Sequence, residues 1–448
     1  MSNASCAADL KAAYNEVKLD PLMSGDPRYV DCSSARGGED VVKLLCTRIE
    51  NSPRPMAQLI SGHRGCGKST ELLRLVDDLK RKNYMVVYFA ADEDIDVGDL
   101  VYTDLLMAII KRLERAFADE DIQIDPRLSN AVAMWFAEVV YGWKDEREFS
   151  ATLQTEFELG VSAPIPLPIL SKILARITGQ IKTGQNIRRE VRLKLDPQVY
   201  QFIERVNELI QAAIPKIREK GYRDLVLVID NLDRIVFRVL DDKTGRTTHD
   251  ALFLEHAEQL KSLDLHMIYT VPISMFYSLK ATGLTGAFPD YSILPMIKVK
   301  EEDGNPCSEG IDRLYEVAKR RLDIERIYAD GVVEFLADKS GGMLRDFIRL
   351  LGYTIELAQV RGGGVPITMD LAEKAFRRLV NEYGRMVPDE YYKLLAQVAR
   401  NKRAPNDEKH QAMLYNLSIL EYMNGNRWCD VHPAIRELPE FKDIFRRE

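Results

Sequence analysis

Apolar positions along the 448-residue chain fall into two patterns: short uninterrupted runs, and stripes spaced three and four residues apart. The runs predict strands at "MAQLIS" (56–61), "YMVVYFA" (84–90), "LVLVI" (225–229), "LHMIYTVPIS" (265–274) and "ILPMIKVK" (293–300). Five consecutive apolar residues without polar alternation, as at 225–229, fit a strand covered on both faces, as a central parallel strand is. The stripes predict helices. Val101, Leu105, Leu106, Ile109, Ile110, Leu113 and Phe117 mark a strong one. Others are read near 38–50, 131–140, 196–220, 309–322, 330–338, 343–358 and 370–385. Asp196-Pro197 reads as the N-cap and first turn of its helix, and Thr368 as the cap of the last. Strands alternating with helices predict an α/β fold, a parallel sheet sandwiched by helices.

Beyond residue 308 the pattern turns wholly helical, and it changes again near 387. There "DEYYKLLAQVARN" and "DEKHQAMLYNLSIL" read as helices, followed by two short strands in "EYMNGNRWCDVHP" around the turn dipeptide Asn424-Gly425. Helix, helix, hairpin is the grammar of a winged helix. The layout is therefore an α/β core over 1–307, an all-helical lid over 308–386 and a winged-helix-like module over 387–448. Residues 145–195 break the core pattern and read as an insertion. Its basic residues Lys182, Arg188, Arg189, Arg192 and Lys194 are read as a solvated face.

Composition narrows the class. Hydrophobic content of 46% and charged content of 29% describe an ordinary globular chain, and a net charge of −7 works against binding nucleic acid by overall charge. The six cysteines (6, 32, 46, 66, 307, 429) form no Cys-x-x-Cys pair, so no disulfide framework or zinc site is indicated. No uncharged apolar run approaches membrane-spanning length; the nearest candidate, "VSAPIPLPIL" (161–170), is broken by proline. A cytoplasmic location and no membrane partner are expected.

The chemistry starts at "SGHRGCGKSTEL" (61–72). Gly62, Gly65, Cys66, Gly67, Lys68, Ser69 and Thr70 fall in the Gly-x-x-x-x-Gly-Lys-Ser/Thr pattern, between a predicted strand and a predicted helix. Glycines allow successive backbone N–H groups to face one concavity, and the helix N-terminus adds its positive dipole end. Lys68 would reach the β- and γ-phosphates of ATP, and Ser69 would ligate Mg²⁺. The second anchor is Asp230, at the C-terminal end of the strand in "LVLVIDNLDR", where ligands of open α/β sheets bind. It would hold Mg²⁺ opposite Ser69.

These motifs, with a Thr-tipped strand, a helical lid and a winged-helix-like end, resemble the AAA+/STAND side of the P-loop ATPases, in particular origin-recognition-type ATPases. "VIDNLDR" is also similar to the Ile-Asp-Asp-Leu-Asp-Arg signature of KAP ATPases. The resemblance implies that Thr270 is a strand-end sensor of the γ-phosphate and that Arg345, in "SGGMLRDFIRLL", reaches from the lid to the phosphates. Many AAA+ proteins follow the strand-end Asp with a Glu that polarises the attacking water. Here Asn231 stands in that place, and Asn cannot take a proton. Asp233 is the nearest substitute base, with Asp92 and Glu93 behind it; Arg234 reads as a structural salt bridge. The leading expectation is a slowly hydrolysing ATPase switch of bacterial defence or regulation, a homo-oligomer acting through a separate protein effector. An origin-recognition-like DNA-binding ATPase and a nucleotide-bound oligomeric scaffold are the alternatives. DNA binding through Arg400, Lys402, Arg403 and Arg427 would be weak.

Overall fold

The computed structural model describes residues 9–142, 169–183 and 185–447. Five strands form one parallel sheet: β1 (Ala57–Gly62), β2 (Met85–Ala90) and β3 (Leu225–Asp230), then β6 (His266–Pro272) and β7 (Tyr291–Leu294). Between β3 and β6 the chain makes a small antiparallel hairpin of β4 (Val239–Asp241) and β5 (Arg246–Thr247). The order across the sheet is β2-β3-β6-β1-β7, so β6 separates the Asp230 strand from the P-loop strand and pairs with both. Because all pairs are parallel, the C-terminal ends of β1, β3 and β6 share one edge.

The unbroken run in β3 is explained by two apolar layers. Leu225, Leu227 and Ile229 face a large core that includes the helix Tyr102–Asp119, while Val226 and Val228 face a second core with Leu72, Leu75 and Leu79 of the helix Lys68–Arg81. Side chains alternate across a strand, so both faces need apolar residues. The α/β sandwich expected from the sequence is the fold observed.

Of the insertion, residues 145–168, including most of the proline-rich piece, lie outside the described residues. The helices Ile169–Thr183 and Gln185–Leu195 place Leu170, Ile173, Leu174 and Ile177 in the large core. The basic residues here are not simply a solvated face. Arg188 bonds Asp96 and Asp99, Arg192 bonds Asp99 and Asp104, and Lys194 donates to the Val140 carbonyl. Acidic partners in the 96–104 segment, distant in sequence, turn these cations into anchors. Asp196-Pro197 forms a short 3-10 turn between two helices instead of starting one, and the Asp196 carboxylate accepts from Tyr102; the helix that follows is Val199–Glu219.

The segment expected to be a helical lid contains four main helices, Ser308–Lys319, Val332–Lys339, Leu344–Val360 and Met369–Gly384. Thr368 occupies the cap position of the last without a side-chain cap bond. The run 293–300 is strand only to Leu294; its remainder meets the lid, and a Cβ on Gly342 would sit 1.7 Å from the Ile297 carbonyl oxygen. No such contact is survivable, so glycine is required there.

The C-terminal segment holds the helices Tyr392–Asn401 and Glu408–Tyr415, then the antiparallel pair β8 (Ile419–Asn424) and β9 (Asn426–Val431), with Gly425 at φ +88° in the turn. The predicted second helix ends early, at Tyr415, and Leu417 at φ 68° turns the chain into β8. This hairpin does not project as a free wing. Leu420, Tyr422 and Trp428 belong to the same apolar cluster as Ile60, Cys66 and Leu72, directly behind the P-loop.

Candidate functional site

The edge formed by the ends of β1 and β3 opens into a cleft of about 160 Å³, lined by Gly65, Gly67, Lys68, Ser69 and Thr70, by Asp230, Asn231 and Asp233, and from the helical segment by Leu344 and Arg345. Gly62, Gly65 and Gly67 have φ of +149°, +87° and +106°. A Cβ on Gly65 would lie 2.6 Å from the Arg345 Cβ, so the missing side chain is what lets the helix Leu344–Val360 pack against the loop. The Arg345 N–H donates to the Gly65 carbonyl at 3.1 Å, which fixes the start of the lid helix on the P-loop. Burial lowers the Arg345 pKa, and Arg234 adds to that.

Lys68 is nearly inaccessible. Its Nζ donates to the carbonyls of Gly62 (2.7 Å) and His63 (3.0 Å) and pairs with Asp233 at 2.9 Å. Burial opposes its charge, yet Asp233, Cys66 and Asp230 together outweigh that, and its pKa is raised. Asp230 is buried among three partners: Tyr88 donates its hydroxyl at 3.1 Å, the Asn231 N–H donates at 2.7 Å, and the Ser69 hydroxyl donates to the carboxylate. Burial raises the Asp230 pKa against the Ser69 bond, and the Asp233 charge adds to the rise. A carboxyl held up in this way, beside a hydroxyl and a second carboxylate, is a group that a divalent cation would relieve. The donor set of Ser69 and Asp230 therefore fits Mg²⁺.

Asn231 occupies a left-handed backbone position, φ 63°, which Asn adopts at less cost than Glu. Its amide donates to Asp92 at 2.8 Å, and Arg234 pairs with the same carboxylate at 2.8 Å. Thus Asp92 braces the turn, Arg234 makes the structural pair read from the sequence, and Glu93 is engaged by Arg112. The turn geometry is the physical reason that Asn follows Asp230.

Thr270 is completely buried and does not line the cleft. Its hydroxyl accepts from the Leu232 N–H at 2.9 Å and donates to the Ile229 carbonyl, so it holds the turn that carries Asp233. Thr70 accepts from the Leu22 N–H at 3.2 Å and so ties the N-terminal segment to the loop. The Cys66 side chain sits in the apolar cluster, while its carbonyl accepts from the buried Arg36.

Several participants escaped the sequence reading. Asp20, Pro21, Leu22, Tyr29 and Val30, with Val317, Arg321 and Ile348 of the helical segment, also line the cleft. Arg321 is buried, which pulls its pKa down to about 10, and it donates to the Arg28 carbonyl at 3.1 Å. On the lid helix, Asp346 accepts from Tyr383 at 2.8 Å and from Arg349 at 3.0 Å, and lies 3.3 Å from the buried His432 that follows β9. None of these carries a local motif; folding alone brings them together.

No protein-family model matches the chain, and no curated protein matches it. Among solved structures it is similar to the Aeropyrum pernix ORC2 protein in ADPNP–ADP complexes, at 12% identity over 99% of each chain with a TM-score of 0.44. It is similar also to the Walker-type ATPase paby2304 of Pyrococcus abyssi, at 15% identity over 96% of this chain and 99% of that one, TM-score 0.43. A third is Cdc6p from Pyrobaculum aerophilum, at 13% identity over 99% of both chains, TM-score 0.39.

Proposed function

We propose that this chain is an ATP-binding P-loop ATPase of the AAA+ kind that works as a nucleotide-dependent switch. The observation that carries the reading is the buried Lys68–Asp233 pair at 2.9 Å, in a cleft that also gathers Ser69, Asp230 and Arg345. Lys68 is a buried cation held by two loop carbonyls and one carboxylate, all of which an incoming phosphate would replace. The helix Lys68–Arg81 points its N-terminus into the same space. Pro21, Leu22, Val317 and Ile348 supply apolar lining that a base could pack on.

Bound Mg²⁺ would be held by Ser69 and Asp230 and would neutralise charge on the phosphates. Once phosphate takes over Lys68, Asp233 is released as the carboxylate nearest the site, the role of base. Asn231 can orient a water and cannot accept its proton. Turnover is therefore slow, which suits a switch better than a motor. Regulation of a separate effector protein, in defence or another bacterial response, extends this reading, as does assembly into an oligomer. An origin-recognition-like ATPase is the alternative reading; in it the C-terminal hairpin, which shares an apolar cluster with the P-loop helix, would not serve as a free wing.

The test is direct titration of a fluorescent ATP analogue with Mg²⁺. Lys68→Ala should lose a charged phosphate contact and weaken binding by about a hundredfold, roughly 3 kcal/mol. Equal affinity of the two proteins would sink the proposal.

A further inference from the structure

Two of the four variable positions of the P-loop, His63 and Arg64, are engaged by the C-terminal segment. The Arg64 guanidinium stacks 3.9 Å from the centre of the Tyr415 ring. The backbone N–H of Glu421, in β8, donates to Nε2 of His63 at 2.8 Å. The carbonyl of the same His63 accepts from Lys68 Nζ at 3.0 Å. Two hydrogen bonds with one residue between them thus join the hairpin to the ammonium that the phosphates would meet.

Both ends of this link are fixed. Glu421 is completely buried; its carbonyl accepts from the Met296 N–H at 3.0 Å, and its carboxylate accepts from the Tyr277 hydroxyl. Cys429 faces it across the hairpin. The imidazole of His63 is buried as well, and Nε2 can accept only while the ring is neutral with its hydrogen on Nδ1. Burial, with Lys68 close by, enforces that neutral state. Without the ring, the Glu421 N–H would be a buried donor with nothing to bind, a loss felt in the docking of the hairpin.

We propose that His63 is a positioning residue through which the C-terminal hairpin sets the conformation of the phosphate-binding loop. The proposal rests on the nucleotide reading given above. Linkage makes it reciprocal: a filled loop must also change how firmly β8 is held. Loop and hairpin then behave as one element with two faces, one toward nucleotide and one toward whatever the C-terminal segment contacts.

The full-length chain is compared with His63→Ala, His63→Asn and His63→Gln. Gln carries an oxygen acceptor at about the reach of Nε2, whereas Asn reaches only as far as Nδ1. Amide hydrogen exchange is read at 62–68 and 419–424, and affinity is read with a non-hydrolysable ATP analogue and Mg²⁺. Ala and Asn should speed exchange in both segments and weaken the analogue about tenfold, while Gln stays near wild type. Should Ala fail to fold, the contrast between Asn and Gln still decides. Altered exchange with unchanged affinity would reduce His63 to a packing contact and overturn the proposal, and so would a Gln variant as impaired as Ala. A wild type that binds no analogue fells the nucleotide reading and this proposal together. A wild type that binds, with all variants alike, fells this proposal alone.

Discussion

His63 shows how much one ring can be asked to do when it is buried. Its pKa falls to about 3, because burial penalises the charged imidazolium and Lys68 and His432 add repulsion. The unfolded ring titrates near its ordinary value, 6.5. Between these values the unfolded chain binds a proton that the folded chain refuses, so stability falls as pH drops from 6.5 toward 3. Above 6.5 this contribution is fully present. From pH 7 to pH 5 the loss attributable to this ring is about 2 kcal/mol. His63→Gln removes the titration and keeps an acceptor. Urea unfolding at both pH values should therefore show the variant gaining on the wild type by about that amount in acid. The other buried histidines, among them His249 and His266, remain in both proteins and cancel. An unchanged difference would mean that the folded chain protonates His63 without cost.

The turn after β3 is the element on which the catalytic reading depends. Asp230 ends the strand, Asn231 takes φ 63°, and Leu232–Arg234 form a 3-10 turn that delivers Asp233 to Lys68. A Glu at 231 would meet a left-handed backbone, lose the amide bond to Asp92 and place a charge beside that carboxylate. Asn231→Glu should therefore lower stability by about 1–2 kcal/mol, with no gain in steady-state phosphate release. Faster release would show that the turn tolerates the Glu and uses it. Much of this element was legible in the sequence, because an apolar run and a strand-end Asp are local signals. The same holds for the P-loop and the hairpin turn at Gly425. What was not legible depends on distant partners. Arg188 and Arg192 looked solvated because Asp96, Asp99 and Asp104 lie some ninety positions away. The bonds of the Thr270 hydroxyl to Leu232 and Ile229 likewise could not be read from its place at a strand end. The run 293–300 ceased to be strand after Leu294 because Met296 and Lys298 give their N–H groups to Glu421 and Ala35.

At the scale of the whole molecule, the question is whether the C-terminal segment reads DNA. A phosphate-binding surface needs unspent cations, since affinity comes from released counterions and falls with salt at a slope near −0.9 per phosphate neutralised. Here the cations are largely committed. Lys402 pairs with Asp430 at 2.7 Å, Arg400 donates to the Phe445 carbonyl at 2.7 Å, and Arg427 stacks 4.6 Å over the Tyr277 ring. Asp430 also takes Arg436, so the segment neutralises itself from within. A net charge of −7 adds long-range repulsion. The hairpin that would serve as a wing is packed behind the P-loop, with Trp428 and Tyr422 stacked 4.4 Å apart in the shared core. The nucleotide-free chain should therefore show no measurable affinity for short duplex DNA at physiological salt, and whatever appears at low salt should have a slope shallower than −2, as expected for at most about two phosphates. Charge reversal at Lys402 and Arg403 should change it little, because Lys402 is already neutralised. Fluorescence anisotropy across a salt series decides the matter. Tight binding with a steep slope would require the hairpin to leave the P-loop, and would restore the DNA-reading alternative.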